Sequence, residues 1–446
     1  MNRSTSGRVC CAAARRRFHA WSARSAGETL RGARALVVAL VLGLSSAAAA
    51  LAQSSPPGTD LESVHRWLRG HNPQLQALIL EAEAARERIQ PAGALPDPMA
   101  EIELMDIVFD HPRVLPGQTG STVYRVRQSL PLWGKRQLAR DIASFEAAAS
   151  GQMRDATSLE LIKKADVAYV RYWHAGASVQ ALDRVTALMG EMRKLTQARY
   201  AAGLAPQQDA IKAQLEVTRM GVDRLERVAM GHEAAAALNA VLGRMPGDAL
   251  AQPQSEPTLT VDESLDDLLG RLAGAHPMVL AQASMVSAAE SMSEMARRER
   301  YPDLNVGVAL VQMGSRAEAW ELMFSVDIPL QQSARRHRER AAVLAREAAQ
   351  SRQQMAVNEL RGMVGEAWVR WQSAQARRQL IEDTLLPQAQ ASFQSALGSY
   401  QVGSVDFESL LDALRESRNA ELTMVDARRD ELIAASEIRA IQGELQ

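Results

Sequence analysis

Past Cys11 the 446-residue chain has no cysteine; its two, Cys10 and Cys11, sit side by side near the start. Disulfides and thiolate metal sites are therefore excluded from the rest. Aromatic residues make up only 4%, while Ala, Leu, Glu, Arg and Gln abound. That balance disfavours a conventional globular core and favours long helices. Proline is absent from residues 132–205, 330–386 and 388–446, so nothing there forces a helix to end. The apolar run "ALVVALVLGL", Ala35–Leu44, falls short of the ~20 residues a membrane-spanning helix needs.

Positive charge is concentrated at the start. Residues 1–34 hold eight arginines and one acid, Glu28. The apolar run follows, then Ala50-Leu51-Ala52, a small-x-small cleavage site. This pattern predicts a secretory signal peptide over 1–52 and a mature start at Gln53. With no cysteine there, a lipid anchor is not expected. Without the signal, 43 basic side chains face 51 acidic ones, a net charge of −8. No basic face for nucleic acid is implied.

The chain also aligns with itself, offset by about two hundred residues. "HNPQLQALILEAEAA" from His71 matches "AHPMVLAQASMVSAA" from Ala275. "RQSLPLWGKRQLARDIASFEAAA" matches "SVDIPLQQSARRHRERAAVLAREAA", with Pro131 opposite Pro329. "RYAAGLAPQQDA" from Arg199 matches "SYQVGSVDFESL" from Ser399, tyrosine on tyrosine and glycine on glycine. The period is too long for a solenoid, so a duplicated half is expected. Residues 53–250 form the first repeat, 251–270 a linker, and 271–446 the second repeat. The turn-rich "GRMPGDALAQPQSEPTLT", Gly243 to Thr260, reads as the link between the halves. Each half reads as a helix opening at Asn-Pro or His-Pro, two short alternating segments, and two long helical stretches. A 70-residue helix would be ~105 Å long. Charged segments such as "LARDIASFEAA" rule out burial of these stretches in lipid, so they should pack side by side in water.

The alternating segments are strand candidates. "PMAEIELM" sets Ala100, Ile102 and Leu104 against Glu101 and Glu103. "STVYRVRQSL" sets Tyr124 and Val126 against Arg125 and Arg127. "DLNVGVAL" sets Val306, Val308 and Leu310 against Asn305, Gly307 and Ala309. "AWELMFSVDI" sets Trp320, Leu322, Phe324 and Val326 against Glu321, Met323, Ser325 and Asp327. Two hairpins alone would suggest a small soluble sheet with one wet face. Export, and lengths of about ten residues, favour tilted strands crossing a bilayer. Trp320, Leu322 and Phe324 would then face lipid, while Glu101, Arg125 and Glu321 face water. Four strands cannot enclose a lumen, and an open edge is not tolerated in lipid. Several chains must therefore share one barrel.

These segments, in this order and twice over, closely resemble the TolC-like outer-membrane efflux family. The residues that carry the likeness are "NPQLQALILEAEAARERIQPAGALPDP", "QSLPLWGKRQLARDIA", "ARYAAGLAPQQDAIKAQ" and "YQVGSVDFESLLDALRE". "LPLWGKR" and "GLAPQQD" look most like its cation-efflux (CzcC- and CusC-like) branch. The resemblance implies a mainly α fold with a small β part. A homotrimer would join a 12-stranded barrel in the Gram-negative outer membrane to a long α-helical barrel reaching into the periplasm. It implies a passive exit duct, not an enzyme, without cofactor. Its partners would be outer-membrane lipid, a periplasmic adaptor and an inner-membrane pump of the resistance-nodulation-division type. Heavy-metal cations are the expected cargo. Drugs, organic solutes or a secreted polypeptide stay open, as does a poreless periplasmic coiled-coil scaffold.

The tyrosine-glycine turns then mark the periplasmic tip. Gly203 and Gly403 can take positive φ and reverse the chain, and Pro206 suits the first turn of the returning helix. The resemblance implies adaptor docking at Gly203, Leu204, Gly403 and Ser404. It implies a gate tie between Asp209 and Tyr400, and entrance carboxylates at Asp406 and Asp412. An arginine that the family carries is replaced here by Val405, and a further ring position is Ser409.

No catalytic set stands out. The histidines past residue 52 are scattered without ligand spacing and read as solvated surface. Met278, Met285 and Met292 recur every seven residues. Thioethers bind soft metals, but this spacing is also that of a helix seam. Packing is preferred and no metal site is assigned.

Overall fold

The computed structural model describes residues 56–442, apart from 108, 109, 111 and 262. The expected signal peptide, with Cys10 and Cys11, lies outside the described residues. Elements follow in the order α1 (Leu61–His71), α2 (Pro73–Glu87), α3 (Ile89–Ala92), β1 (Met99–Met105), β2 (Ser121–Leu130), α4 (Lys135–Ala201) and α5 (Gln207–Val241). Next come α6 (Leu265–Ala275), α7 (Pro277–Arg298), β3 (Asp303–Met313), β4 (Arg316–Asp327), α8 (Gln332–Leu380), a π-helical turn (Ile381–Leu385), α9 (Leu386–Gln401) and α10 (Phe407–Gln442). Among the described residues no helix is long and apolar enough to cross a membrane.

Local chemistry sets the helix starts. The Asp60 carboxylate accepts from Ser63 N at 2.7 Å and caps α1. Asn72 caps α2, accepting from the amides of Gln74 and Leu75. Its own Nδ2 donates to Val241 O at 2.8 Å, tying α2 to the end of α5. His276 Nδ1 accepts from Met278 N at the start of α7. The Asn-Pro and His-Pro starts are thus real caps, with proline at N1 where its missing N–H costs nothing. Each is preceded by an 11-residue helix that the sequence reading did not separate. The second of these, α6, begins at Leu265, inside the stretch expected to be linker. The connecting segment therefore ends at Ser264. It lies against the start of the described chain, with Ala251 N donating to Pro57 O and Gln254 N to Thr59 O.

The 67-residue α4 is about 100 Å long. Its N-terminal half packs on α2 and α7, and its C-terminal half on α5 and α10. Buried Val185, Met189 and Met192 meet Met220, Leu410 and Leu414. Nearer its middle, buried Tyr169 and Tyr172 meet Val64, Leu68, Leu238 and Leu242. The returning helices α5 and α10 have only 35 and 36 residues. Each half therefore has one long helical stretch and one half as long. The remaining height is filled by α2 and α7. Pro387 sits at the start of α9. The π-helical turn before it, where Leu386 N reaches back to Ile381 O, makes room for a ring that would clash with a carbonyl four residues back.

The four strands form one antiparallel sheet in the order β1-β2-β3-β4. Glu101 pairs with Arg125, Arg125 with Ala309, and Ala309 with Glu321. One step along, Ala100, Val126, Val308 and Leu322 align. All four alternating segments thus present their apolar side chains on one face. The other face carries an ion-pair ladder, with Arg125 on Glu101 and Glu103 (3.3 Å each) and Arg127 on Glu101 (2.9 Å).

Two expectations need correction. The histidines are not all solvated. His174 is buried and bonds Asp426 at 2.7 Å, tying α4 to α10, while His65 bonds Asp166 at 2.5 Å. Burial also holds His276 below the usual histidine pKa. The methionine stripe divides as well. Met278 packs on the cluster around Leu268 and Leu360. Met285 and Met292 are 44% and 40% exposed and share an open groove of 540 Å³ with Met153. Heptad spacing did not reveal this, because it places residues on one helix face without fixing whether a neighbouring helix covers that face.

The capping role of Asn72 is testable. Asn72→Ala is expected to lower unfolding free energy by about 2 kcal/mol, through loss of a cap and a buried bond. Asn72→Asp, which keeps only the cap, should fall between. Denaturant unfolding of the purified protein measures both.

Candidate functional site

The two tyrosine-glycine turns adopt one conformation. Gly203 has φ 70° and Gly403 φ 79°. In the first turn Gly203 N donates to Tyr200 O and Leu204 N to Arg199 O; in the second, Gly403 N donates to Tyr400 O and Ser404 N to Ser399 O. This double bond pattern closes a helix C-terminus around a left-handed residue, which glycine adopts without steric cost. Pro206 and Asp406 then hold equivalent places. Pro206 is the extended residue immediately preceding the first turn of α5. The Asp406 carboxylate accepts from Ser409 N at 2.9 Å and starts α10. Hydrogen bonding to Ser409 holds Asp406 below the usual carboxylate pKa.

Arg199 brings the turns together. Its Nη1 donates to Tyr400 O at 2.8 Å and Gln401 O at 3.0 Å, and the guanidinium lies 4.8 Å from the Tyr400 ring centre. It satisfies carbonyls at the end of α9, where the helix dipole favours a cation. The sequence reading missed this residue. The resemblance points to an arginine in the second turn, where Val405 stands, and the tie comes from the first. Tyr400 itself is 3% exposed and packs edge-on to Phe407. Its hydroxyl has no hydrogen-bond partner among the described residues. The expected Tyr400–Asp209 bond is therefore not made within the chain, because the phenol points into the cluster of Phe393 and Phe407.

Further in, charge joins α5 to α10. Glu216 is buried and bonds Arg415 at 2.8 Å. Arg418 reaches Glu216 at 3.7 Å and Asp223 at 3.2 Å, and Lys212 bonds Glu408. Burial alone pushes the Glu216 carboxyl up, but Arg415, Arg418 and Arg219 outweigh it and hold its pKa below the ordinary value. Asp209 goes the other way. Its partial burial, with Asp406 and Glu408 nearby, raises its pKa despite Lys212. Asp412 is exposed but meets Arg415 at 3.2 Å, so its charge is partly offset. Leu204 and Val402 stand 68% and 81% exposed at the turns. Trp320, Leu322 and Phe324 are on the apolar face of the sheet, at the other end of the chain's long helices. Among the described residues, no three acidic or histidine side chains are placed to hold a metal ion.

These features define a class of chain: paired helical hairpins closed by matching turns at one end, and a one-face-apolar sheet at the other. Comparison narrows it. The model of the family described as outer membrane efflux protein matches residues 268–444. No curated protein matches the chain. Among solved structures, VceC of Vibrio cholerae has 18% identity and a TM-score of 0.71, covering 86% of this chain and 97% of its own. The open MtrE channel of Neisseria gonorrhoeae has 17% identity and a TM-score of 0.72, covering 86% and 89%. CusC has 16% identity and a TM-score of 0.71, covering 86% and 92%. Residues 268–444 thus resemble the outer membrane efflux protein family, and the chain as a whole shares the fold of VceC, MtrE and CusC.

The buried carboxylate gives a test at the tip. Glu216→Ala is expected to cost about 3 kcal/mol, because it strands Arg415 and Arg418. A carboxylate with a lowered folded pKa stabilises at higher pH and loses that contribution as pH falls through the folded value. The wild-type advantage over Glu216→Gln should therefore be full at neutral pH and fade below the ordinary glutamate value of 4.5. Urea unfolding of both proteins across pH reads it.

Proposed function

We propose that this protein is a passive exit duct of the Gram-negative outer membrane, not an enzyme, and that it acts in an envelope-spanning efflux assembly. One observation carries the reading. Matching reverse turns lie together at one end of a helix about 100 Å long, and the other end joins a sheet whose apolar side chains share one face. Three copies would pair their free β1 and β4 edges into one 12-stranded barrel, since an unpaired edge cannot stand in lipid. The apolar face would meet lipid and the Arg125–Glu101 ladder would line the lumen. The two-part order of elements reflects duplication of one half.

The tip would hang in the periplasm. Leu204 and Val402, beside Gly203, Gly403 and Ser404, offer an adaptor its apolar contact. An inner-membrane pump would supply the energy. Heavy-metal cations are the proposed cargo, supported by resemblance to the cation-efflux branch and by Asp406 and Asp412 near the entrance. Threefold repetition of one carboxylate in a narrow mouth favours cations, though Arg415 weakens the contribution of Asp412. Arg199 replaces the Tyr400–Asp209 pair as the tie holding the two hairpins closed.

Membrane placement is tested by two neighbours on β4. A charge on the lipid face at the bilayer midplane costs ~2–4 kcal/mol per site. Leu322→Arg should abolish trimers in outer-membrane fractions and Glu321→Arg should leave them. Equal tolerance would mean the sheet is not in lipid, as a poreless scaffold requires.

The gate is tested in planar bilayers. Hydrogen bonds from a charged donor contribute ~1.5–3 kcal/mol, so Arg199→Ala should raise single-channel conductance and admit large antibiotics. Tyr400→Phe, which removes an unbonded hydroxyl, should not. Asp412→Asn should weaken cation preference modestly. Unchanged conductance in Arg199→Ala would show that the hairpins are held closed elsewhere.

A further inference from the structure

Two short segments flank the β3–β4 hairpin. "RRERY", Arg297–Tyr301, leads into it, and "RRHRER", Arg335–Arg340, follows it. Together they hold seven arginines against Glu299 and Glu339. Because each adjoins the same hairpin, both lie where the helices meet the sheet. Some of this charge is used locally. Glu294 takes Arg297 and Arg298 at 2.7 and 2.8 Å. Arg335 donates to Glu299 O at 2.6 Å, and Arg338 reaches the Glu299 carboxylate only at 3.8 Å.

Arg300, Arg336 and Arg340 remain. All three are exposed, and none makes an ion pair among the described residues. Arg300 Nε donates to Arg297 O at 3.0 Å, at the end of α7, but Arg336 gains nothing from its helix: α8 has no acid in its first turn, and a cation near a helix start opposes the dipole.

What adjoins them supplies a reason. Between β4 and α8, Ile328 and Leu330 are 70% and 83% exposed. Trp133 and Tyr301, half-exposed, pair at 5.1 Å between ring centres. The Arg300 guanidinium lies 5.7 Å from the Tyr301 ring centre. From sheet to helices the exposed surface passes from apolar, through aromatic, to cationic. A membrane presents hydrocarbon, then interface, then headgroup in that order. Aromatic rings favour the interface, and basic clusters beside a membrane segment attract anionic lipid.

We propose that Arg300, Arg336 and Arg340 form part of a collar that binds the phosphodiester headgroups of anionic phospholipids in the periplasmic leaflet. This rests on the outer-membrane reading. Threefold assembly would repeat the collar around the duct and fix how deeply the barrel sits.

The test uses full-length protein in phosphatidylcholine vesicles carrying brominated phosphatidylglycerol or brominated phosphatidylcholine. Tryptophan quenching reports relative lipid affinity. Wild type is expected to prefer phosphatidylglycerol by about threefold or more at low salt, with the preference shrinking at about 0.5 M salt. The combined Arg300→Gln, Arg336→Gln and Arg340→Gln variant should lose it, and the corresponding lysine variant should keep it. The lysine variant also shows that the fold survives substitution at these positions. No preference in wild type, or one unchanged in the glutamine variant, overturns the collar. A glutamine variant with altered ion selectivity and intact lipid preference also overturns it, placing the arginines in the duct. Wild type that conducts without lipid preference loses only the collar. Wild type that prefers phosphatidylglycerol without conducting keeps the collar and loses only the duct.

Discussion

Close packing of small side chains along α4 is the constraint on which the other elements depend. Ala147, Ala149, Gly151, Ala156, Ala165 and Ala168 are all buried on this one helix. Small residues let neighbouring backbones approach closely, and many weak contacts then add up over a great length. A helix in contact with α2, α7, α5 and α10 at different heights has to offer small side chains on several sides. The scarcity of aromatic residues follows from this architecture. The layer has length and little thickness, so there is no deep interior for large rings to fill. Where larger side chains are buried, as with Tyr169, Phe393 and Phe407, they sit where a short helix or a turn adds depth.

The tip adds a different kind of contact. Apolar packing of Val185, Met189 and Met220 against Tyr400, Leu410 and Leu414 already joins the two hairpins, and charge adds further links. Arg199 reaches carbonyls of the opposite turn, Lys212 meets Glu408, and Glu216 joins Arg415 and Arg418. Most are exposed or half-exposed, and such pairs contribute little each. Glu216 is the exception, because its carboxylate is buried.

The sheet and the helices meet where their surface requirements differ. The sheet has one apolar face along all four strands, and the helices are charged. The chain crosses between these regimes within a few residues at Trp133, Tyr301 and the arginines of α8. A membrane boundary would reconcile the two surfaces, and both the duct and the lipid collar follow from that.

Much of this was legible in the sequence because it rests on local rules. Proline-free stretches and composition indicated the long helices. Period-two alternation placed the named residues of each strand on its two faces, and the register bears that out. Gly203 and Gly403 marked the turns, because a left-handed residue at a helix end is a glycine signal in any context. The Asn-Pro and His-Pro starts announced their caps. Other features depend on residues distant in sequence, and only the tertiary structure decided them. The phenol of Tyr400 was matched to Asp209 by position, yet it points into an apolar cluster. Arg199, with no local signal, ties the turns because folding brings residues two hundred positions apart within 3 Å. The same holds for His174 on Asp426, for Glu216 under two arginines, and for the division of the methionine stripe. A side chain's conformation and its nearest turn are set by its neighbours in the chain. Its partner is set by which helix packs across from it.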